Sequence, residues 1–253
     1  MQLIVLGCGS SAGTPVIGCH CLTCSSADPR NQRTRSSAAF ILSGGEVILV
    51  DSGPDLRQQS LREKLQRVDA VLYTHTHADH VHGIDDLRSF CQLQRQQIPL
   101  YGNPDTMTTI TSRFDYAFLN AVGDWDLPIL SVNPVSAPFQ TCGVTITPVP
   151  VLHGRDIIYG YRIGKMAYLT DVSDIPQASI EVLQGLDILL LDCLRYKPHY
   201  THINLEQSIA YATLIGARVT YLIHMTHELE YCELSSKLPE NVRVAYDGLR
   251  LQD

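Results

Sequence analysis

Positive charge is scarce in this chain. Nineteen Lys and Arg stand against 26 Asp and Glu, for a formal net charge of −7 and a pI of about 5.8. That balance leaves no global basic field to hold a polyanion, so nucleic acid is not an expected partner. A small phosphorylated substrate remains compatible, because bound metal ions invert local charge. Long apolar runs are also missing, since none approaches the roughly 20 residues of a membrane-spanning helix. The first residues, Met1-Gln-Leu-Ile-Val-Leu-Gly7, offer neither a basic stretch nor a full apolar stretch of a secretory leader. The expectation is a cytoplasmic protein with no membrane partner. Low-complexity tracts, internal repeats and linkers are absent too. With 253 residues and 45% hydrophobic content, the chain is expected to fold as one domain, 1–253, around a sizeable core. Gly7-Cys-Gly-Ser-Ser-Ala-Gly13 is glycine-rich but lacks lysine, and no amphipathic helix follows it, so it is not a nucleotide phosphate loop.

What is abundant is metal-ligand chemistry. Thr74-His75-Thr76-His77-Ala78-Asp79-His80 holds the pattern H-x-H-x-D-H directly after Asp69–Tyr73, an apolar run that predicts a buried strand. Imidazoles two apart on extended chain project the same way, while Asp79 and His80 can turn toward a second point. One stretch then serves two metals. A second concentration is Cys19-x-Cys21-x-x-Cys24. Three thiols this close suit a tetrahedral zinc ion if a fourth ligand arrives from elsewhere; free or redox-active thiols are the alternative. In a reducing compartment the eight cysteines are thiols or ligands rather than a disulfide framework.

Around these motifs the chain alternates strands and helices. Leu3–Leu6 predicts a strand, and Ala38–Leu42 with Glu46–Val50 a hairpin ending in Asp51, which either orients a ligand histidine or caps a helix over Pro54–Leu65. A helix over Asp85–Gln94 and a strand over Ile98–Tyr101 follow, and 102–137 is expected to hold a helix and a lid. Strands over Val144–Val149, Ile157–Ile163, Met166–Thr170, Asp187–Leu191 and Val219–Ile223 lead toward His153, Asp171, Asp192 and His224, with a helix over Leu205–Ala217 capped by Asn204. The polar groups His153, Asp171, His202 and His224 all follow predicted strands, and with H-x-H-x-D-H already present they point to one shared site.

The order H-x-H-x-D-H, His153, Asp171, His224 resembles the metallo-β-lactamase superfamily over nearly the whole chain. The resemblance implies an α/β fold of αββα type, two mixed sheets flanked by helices. It implies one metal on His75, His77 and His153 and a second on Asp79, His80 and His224, with Asp171 bridging. Within the superfamily, Gly18-Cys-His-Cys-Leu-Thr-Cys24, Asp51-Ser-Gly-Pro-Asp-Leu-Arg57, Asp192-Cys193, His202-Ile-Asn-Leu205 and His224-Met-Thr-His227 resemble the phosphoribosyl cyclic phosphodiesterases of the carbon–phosphorus lyase pathway. That family implies a structural zinc on Cys19, Cys21, Cys24 and His227, a homodimer, and a catalytic histidine at His202. Cys8, Cys91, Cys142, Cys193 and Cys232 are then structural, and His20, His82 and His199 match no ligand position.

The expected reaction is hydrolysis of a small cyclic phosphodiester, a phosphoribosyl 1,2-cyclic phosphate. A hydroxide bridging two divalent metals attacks phosphorus, and His202 protonates the leaving sugar oxygen. His202 and Asp79 are the candidate catalytic residues, Asp79 also as a ligand. The catalytic metals are manganese, zinc or iron, since an N/O ligand set accepts several. No Arg–Lys pair marks a phosphate or ribose pocket. Two other readings share the motifs: a ribonuclease Z-type endonuclease, disfavoured by the acidic chain, and a pyrroloquinoline-quinone-biosynthesis-like protein.

Overall fold

The computed structural model describes residues 1–118 and 129–252. The chain first lays down β1 (Gln2–Gly7), β2 (Ser37–Ile41), β3 (Val47–Val50), β4 (Ala70–Leu72), β5 (Ile98–Gly102) and β6 (Leu130–Pro134). It then builds a second sheet from β7 (Phe139–Thr141), β8 (Val144–His153), β9 (Asp156–Ile163), β10 (Met166–Leu169), β11 (Ile188–Asp192), β12 (Val219–Ile223) and β13 (Val242–Val244), before β14 (Arg250–Gln252) returns to the first. The orders are β14-β1-β2-β3-β4-β5-β6 and β13-β12-β11-β10-β9-β8-β7.

Each sheet changes character part-way across. The strands from β14 to β3 are antiparallel and those from β3 to β6 parallel. In the second sheet β7 to β10 are antiparallel and β10 to β13 parallel. Parallel strands need covering on both faces, and the sequence supplies continuous apolar runs there: Ala70–Leu72 and Ile188–Leu191 are buried throughout.

The helices are α1 (Leu56–Glu63), α2 (Ala78–Val81), α3 (Leu87–Gln94), α4 (Pro104–Arg113), α5 (Gln177–Val182), α6 (Leu205–Ile215) and α7 (Tyr231–Ser235). Phe40, Ile48 and Leu72 of the first sheet meet Tyr161, Tyr168 and Leu190 of the second in one core between the sheets. The outer face of the first sheet packs Leu49 and Val71 against Leu56 of α1, Phe90 of α3 and Ile110 of α4. That of the second packs Leu189 and Leu191 against Ile180 of α5 and Ile215 of α6. The four layers are the expected αββα sandwich. Truncating one central side chain such as Leu190 to Ala costs about 2–5 kcal/mol in a core this dense.

Local expectations differ in detail. The first helix starts at Leu56 after Asp55, so Pro54 lies outside it, and Asp51 caps nothing. Residues 84–86 form a 3-10 turn before α3. The helix expected to reach Ala217 ends at Ile215, where Gly216 takes a left-handed conformation; Asn204 caps its start in a reciprocal box with Gln207. The helix within 102–137 is α4, and the lid expected there falls partly on residues outside the described ones.

Candidate metal centre

The site forms where strands of both sheets end. Two hydrogen bonds tie the sheets together just ahead of the histidine stretch: Tyr159 N–H donates to Thr74 O (3.1 Å) and Tyr161 OH to Tyr73 O (2.7 Å). The chain then turns through α2 against the loop after β3. Ser52 N–H donates to His80 O and Gly83 N–H to Ser52 O, both at 2.8 Å. The two backbones are so close that a Cβ on Gly83 would lie 2.0 Å from Gly53 O, and one on Gly53 2.1 Å from Asp79 O. No other residue fits at either position.

His75, His77, His153 and Asp171 present ligand atoms within 4.8 Å of one another, and Asp79, His80 and His224 do the same beside them. Asp171 lies between the groups. Its Oδ2 is 3.2 Å from His80 Nε2, and its Oδ1 is 3.4 Å from His224 Nε2 and 3.8 Å from His75 Nε2. The structure thus brings the sequence-predicted residues together, with Asp171 beside both groups.

Two buried carboxylates outside this set fix its orientation. Asp51, at the end of β3, accepts from His80 Nδ1 (2.7 Å), Thr74 N (2.8 Å) and Thr74 Oγ1 (2.8 Å), and Thr74 Oγ1 in turn accepts from His75 Nδ1 at 3.0 Å. Asp51 is therefore the ligand-orienting carboxylate, one of the two roles its sequence position allowed. Asp192, at the end of β11, accepts from His202 Nδ1 (3.2 Å) and from Val172 N (3.1 Å), and its Oδ1 lies 3.5 Å from His224 Nδ1. Sequence reasoning gave Asp192 no role. The available signal was an acid closing an apolar strand run, the same signal that singled out Asp51.

These contacts settle which nitrogens face inward. His80 and His75 spend Nδ1–H on Asp51 and Thr74, and His153 spends Nδ1–H on the carbonyls of Asp171 (2.8 Å) and Thr201 (2.9 Å). The Nε2 lone pairs are left aimed at each other and at carboxylates, and His75 Nε2 is only 3.0 Å from His77 Nδ1. Among the described residues, His80 Nε2 and both ring nitrogens of His224 are buried without a hydrogen-bond partner. Buried polar atoms without partners are costly. Two divalent cations would satisfy the two Nε2 atoms, since nitrogens about 2.0–2.1 Å from one metal lie about 3.0–3.4 Å apart, while His224 Nδ1 faces Asp192 Oδ1 at 3.5 Å. The residues present fit that occupancy.

The electrostatics agree. Burial opposes charge on His80 and His224, yet nearby carboxylates, Asp171 first among them, outweigh it, holding His80 well above the usual imidazole range and His224 at about 9. Burial would raise Asp171 and Asp79, but the surrounding imidazoles hold both well below the usual carboxylate range. His75 and His153 are pushed down, mainly by burial, which keeps them neutral and able to act as ligands. The cluster calls for positive charge at its centre, which protons supply poorly and divalent cations supply well.

The thiolate cluster is built differently. Cys19, Cys21 and Cys24 place their sulfurs 3.3, 3.4 and 3.3 Å from His227 Nδ1. Zn–S and Zn–N bonds of about 2.3 and 2.0 Å put tetrahedral corners about 3.5 Å apart, so these four atoms suit one zinc ion. Backbone hydrogen bonding from Cys24 lowers the Cys21 thiol to about 6, whereas burial raises Cys24 to about 11. As thiolates, the three sulfurs would need a cation between them. The remaining cysteines are free: Cys8, Cys91 and Cys193 are buried, Cys142 is half-buried and Cys232 is exposed.

His202 joins Asp171 and His224 within ligand-atom reach of one another. Its ring stacks on His224 at 4.8 Å, its Nε2 is 3.7 Å from Asp171 Oδ1, and it lines a cavity of about 610 Å³ above the cluster. His199 is nearer the site than expected, its ring 5.4 Å from that of His202. His82 packs on Phe114 instead. Sequence reasoning also passed over Arg155 and Tyr200, which line the same cavity.

Residues 46–225 match the family model described as the beta-lactamase superfamily domain. The chain belongs to that superfamily, in its metallo-β-lactamase fold. A solved diphosphatase of the PhnP family superposes with a TM-score of 0.92 at 42% identity, covering 100% of this chain and 97% of that one. Zinc-bound PqqB from Methylobacterium extorquens (TM-score 0.81, 23% identity, 100% of both chains) and the short form of human tRNase Z (0.72, 18%, 100% and 99%) share the fold. In sequence, a Porphyromonas gingivalis octanoyltransferase is 40% identical over 256 residues, 98% of this chain and 51% of that protein. Coenzyme PQQ synthesis protein B of Methylorubrum populi is 30% identical over 165 residues, 59% and 52%. The chain spans about half the length of the curated relatives it matches. Family and site together support metal-dependent hydrolysis.

Proposed function

We propose that the protein is a phosphodiesterase that opens a small cyclic phosphodiester, a phosphoribosyl 1,2-cyclic phosphate, acting as a single domain over residues 1–253. The observation that carries this reading is His202. It is tethered through Nδ1 by buried Asp192, stacked on His224, and open to the cavity on its Nε2 side. A group so placed can hand a proton to an oxygen leaving from phosphorus, and the carboxylate behind it fixes its tautomer. Two divalent cations, on His75, His77, His153 and on Asp79, His80, His224 with Asp171 between, would supply a nucleophile at neutral pH and neutralise the phosphoryl group. Asp51, through His80 and through Thr74, keeps the lone pairs aimed inward while substrate enters and leaves. Cys19, Cys21, Cys24 and His227 would hold a third, structural zinc.

The likeness to a diphosphatase supports a substrate with phosphorus–oxygen bonds and brings in a second candidate, a linear diphosphate, whose anhydride bond the same metal-assisted attack would cleave. Assaying the metal-loaded enzyme against a ribose 1,2-cyclic phosphate, a linear diphosphate and an RNA 3′ trailer decides among them. Preference for the cyclic ester is expected, and turnover of RNA alone would overturn the reading.

A further inference from the structure

The cavity above the metal cluster is not the only opening beside it. A second groove of about 400 Å³ lies against His75 and runs along α4, and the two share His77, His153, Arg155 and Asp156. At about 610 Å³ the first cavity alone is several times larger than a phosphoryl group needs, so the remainder of the ester must occupy this space. The second groove is edged by Asn103, Asp105, Thr106 and Thr109, acceptors and hydroxyls suited to a polyhydroxylated carbon skeleton and not to a second anion.

One residue stands apart. Among the described residues lining either opening, Arg155 alone is a Lys or Arg. Arg30, Arg35, Arg62, Arg67 and Arg250 each sit against a carboxylate. Arg155 is exposed and makes no ion pair or hydrogen bond among the described residues, although Asp156 is its neighbour in the chain. Its position is nonetheless fixed. Gly154 turns the chain at φ +64, a Cβ there would press on Thr201 at 3.0 Å, and Gly154 N–H donates to Ser173 Oγ at 2.9 Å. Just ahead, His153 is anchored to two carbonyls. The guanidinium is thus carried on a braced turn, two residues from a metal-site histidine, with no partner among the described residues.

We infer that Arg155 is the specificity-determining residue of the site: it holds a second, non-scissile phosphoryl group of the substrate at the rim shared by the two openings. The inference rests on the phosphoester reading above. The scissile phosphoryl would be served by the cluster and His202, so an additional fork of donors at the rim, unpaired among the described residues, matches a further phosphate, which guanidinium binds in two-pronged fashion.

The test uses the metal-loaded full chain and two separate readouts. The first is binding of ribose 5-phosphate by calorimetry, which requires no turnover. Arg155→Ala should weaken it about 10- to 100-fold, the usual range for one charge-assisted pair, with Arg155→Lys intermediate and metal content equal in all three. The second is the ratio of kcat/KM for ribose 1,2-cyclic phosphate with and without a 5-phosphate. Wild type should favour the phosphorylated ester by about the same factor and Arg155→Ala should lose that preference, mostly through KM. If Arg155→Ala binds ribose 5-phosphate as wild type does, or slows both esters equally with the preference intact, the inference is wrong. If wild type hydrolyses neither ester but Arg155→Ala still weakens ribose 5-phosphate binding, the cyclic-ester function falls and the phosphate role of Arg155 stands.

Discussion

The two sheets use the same backbone device for opposite purposes. In each, one strand marks the change from antiparallel to parallel pairing, β3 in the first and β10 in the second. Asp51 directly follows β3, and the chain leaves β10 through Thr170 to Asp171. Both aspartates are fully buried or nearly so, and both take left-handed backbone angles, φ 59 and 57. Asp is among the few residues that tolerate this region, at a cost of order 1–3 kcal/mol. The surroundings then diverge. Asp51 has three donors, two on Thr74 just after β4 and one on His80 of α2. Asp171 has one, Thr170 Oγ1 at 2.6 Å, and otherwise faces ring nitrogens of His75, His80, His202 and His224 at 3.2–3.8 Å. A strand-end carboxylate whose lone pairs the protein satisfies becomes a support; one left facing imidazoles becomes a place for cations. Equivalent positions in the fold do not fix the role, and the donors around them do.

The largest effect that bears on this comparison is expected from Asp171→Ala. Metal analysis should find at least one catalytic ion missing, and turnover should fall to background. Two retained ions with full activity would move the shared position elsewhere. Asp174, three residues on, serves as a graded control. Its carboxylate accepts from Tyr211 OH and its backbone pairs with Leu152, so Asp174→Ala should cost some thermal stability and leave metal content intact.

Next in size is His202→Ala. General-acid assistance is worth about 10²–10⁴-fold, so a loss of that order is expected on a ribose cyclic phosphate, whose leaving oxygen needs a proton. On an aryl phosphodiester, whose leaving group needs none, the loss should be much smaller with metal retained. Equal losses on both would make His202 a binding group, and loss of metal would make it a ligand.

The supports should matter less. Replacement of a carboxylate behind a metal-bound histidine typically costs about 10–100-fold. Asp51→Asn should express that loss as weaker metal retention, because Asp51 reaches both His80 and, through Thr74, His75. Asp192→Asn should lower kcat more than it lowers metal content, because its direct hydrogen bond from an imidazole is that of His202. Indistinguishable profiles would erase the contrast between the two supports.

How much of this was legible follows from the same geometry. The stretch 75–80 and the cysteines 19–24 are local in the chain, and spacing alone exposes them. The strands that deliver His153, Asp171 and His224 are apolar runs whose ends are marked by a polar residue. Asp192 has the same mark but was silent, because its partners His202 and His224 lie 10 and 32 residues on and only the second sheet brings them back to it. Arg155 was silent for another reason: a lone arginine in a turn becomes informative only once two openings are seen to meet at it. The short strands β6, β7, β13 and β14 sit at or beside sheet edges, where half-buried alternating residues carry little periodic signal.

The smallest expected effect on turnover comes from the thiolate cluster, and it separates structural from catalytic metal. With zinc bound, the Cys19, Cys21, Cys24 and His227 shell would be closed, whereas a catalytic pair would keep open positions, so mild chelation should leave about one zinc per chain with activity gone and the fold kept. Cys21→Ser should do the reverse: lower the melting temperature and zinc content by one while the remaining ligands still bind their metals at low temperature. Some activity is nonetheless expected to be lost. His227 lies three residues past His224, and the segment between them is stitched in on both sides, Met225 N–H to Cys8 O at 2.9 Å and Ser10 N–H to Met225 O at 3.0 Å. Buried Arg33 holds the next turn through Thr226 O and Leu229 O. These bonds do not depend on zinc, so His224 should stay in place and the loss of turnover below the melting range should remain small. A Cys21→Ser variant that melts like wild type and keeps all its metal would remove zinc from the cluster. One that folds well but loses the catalytic metals would mean that the thiolate site positions His224 directly.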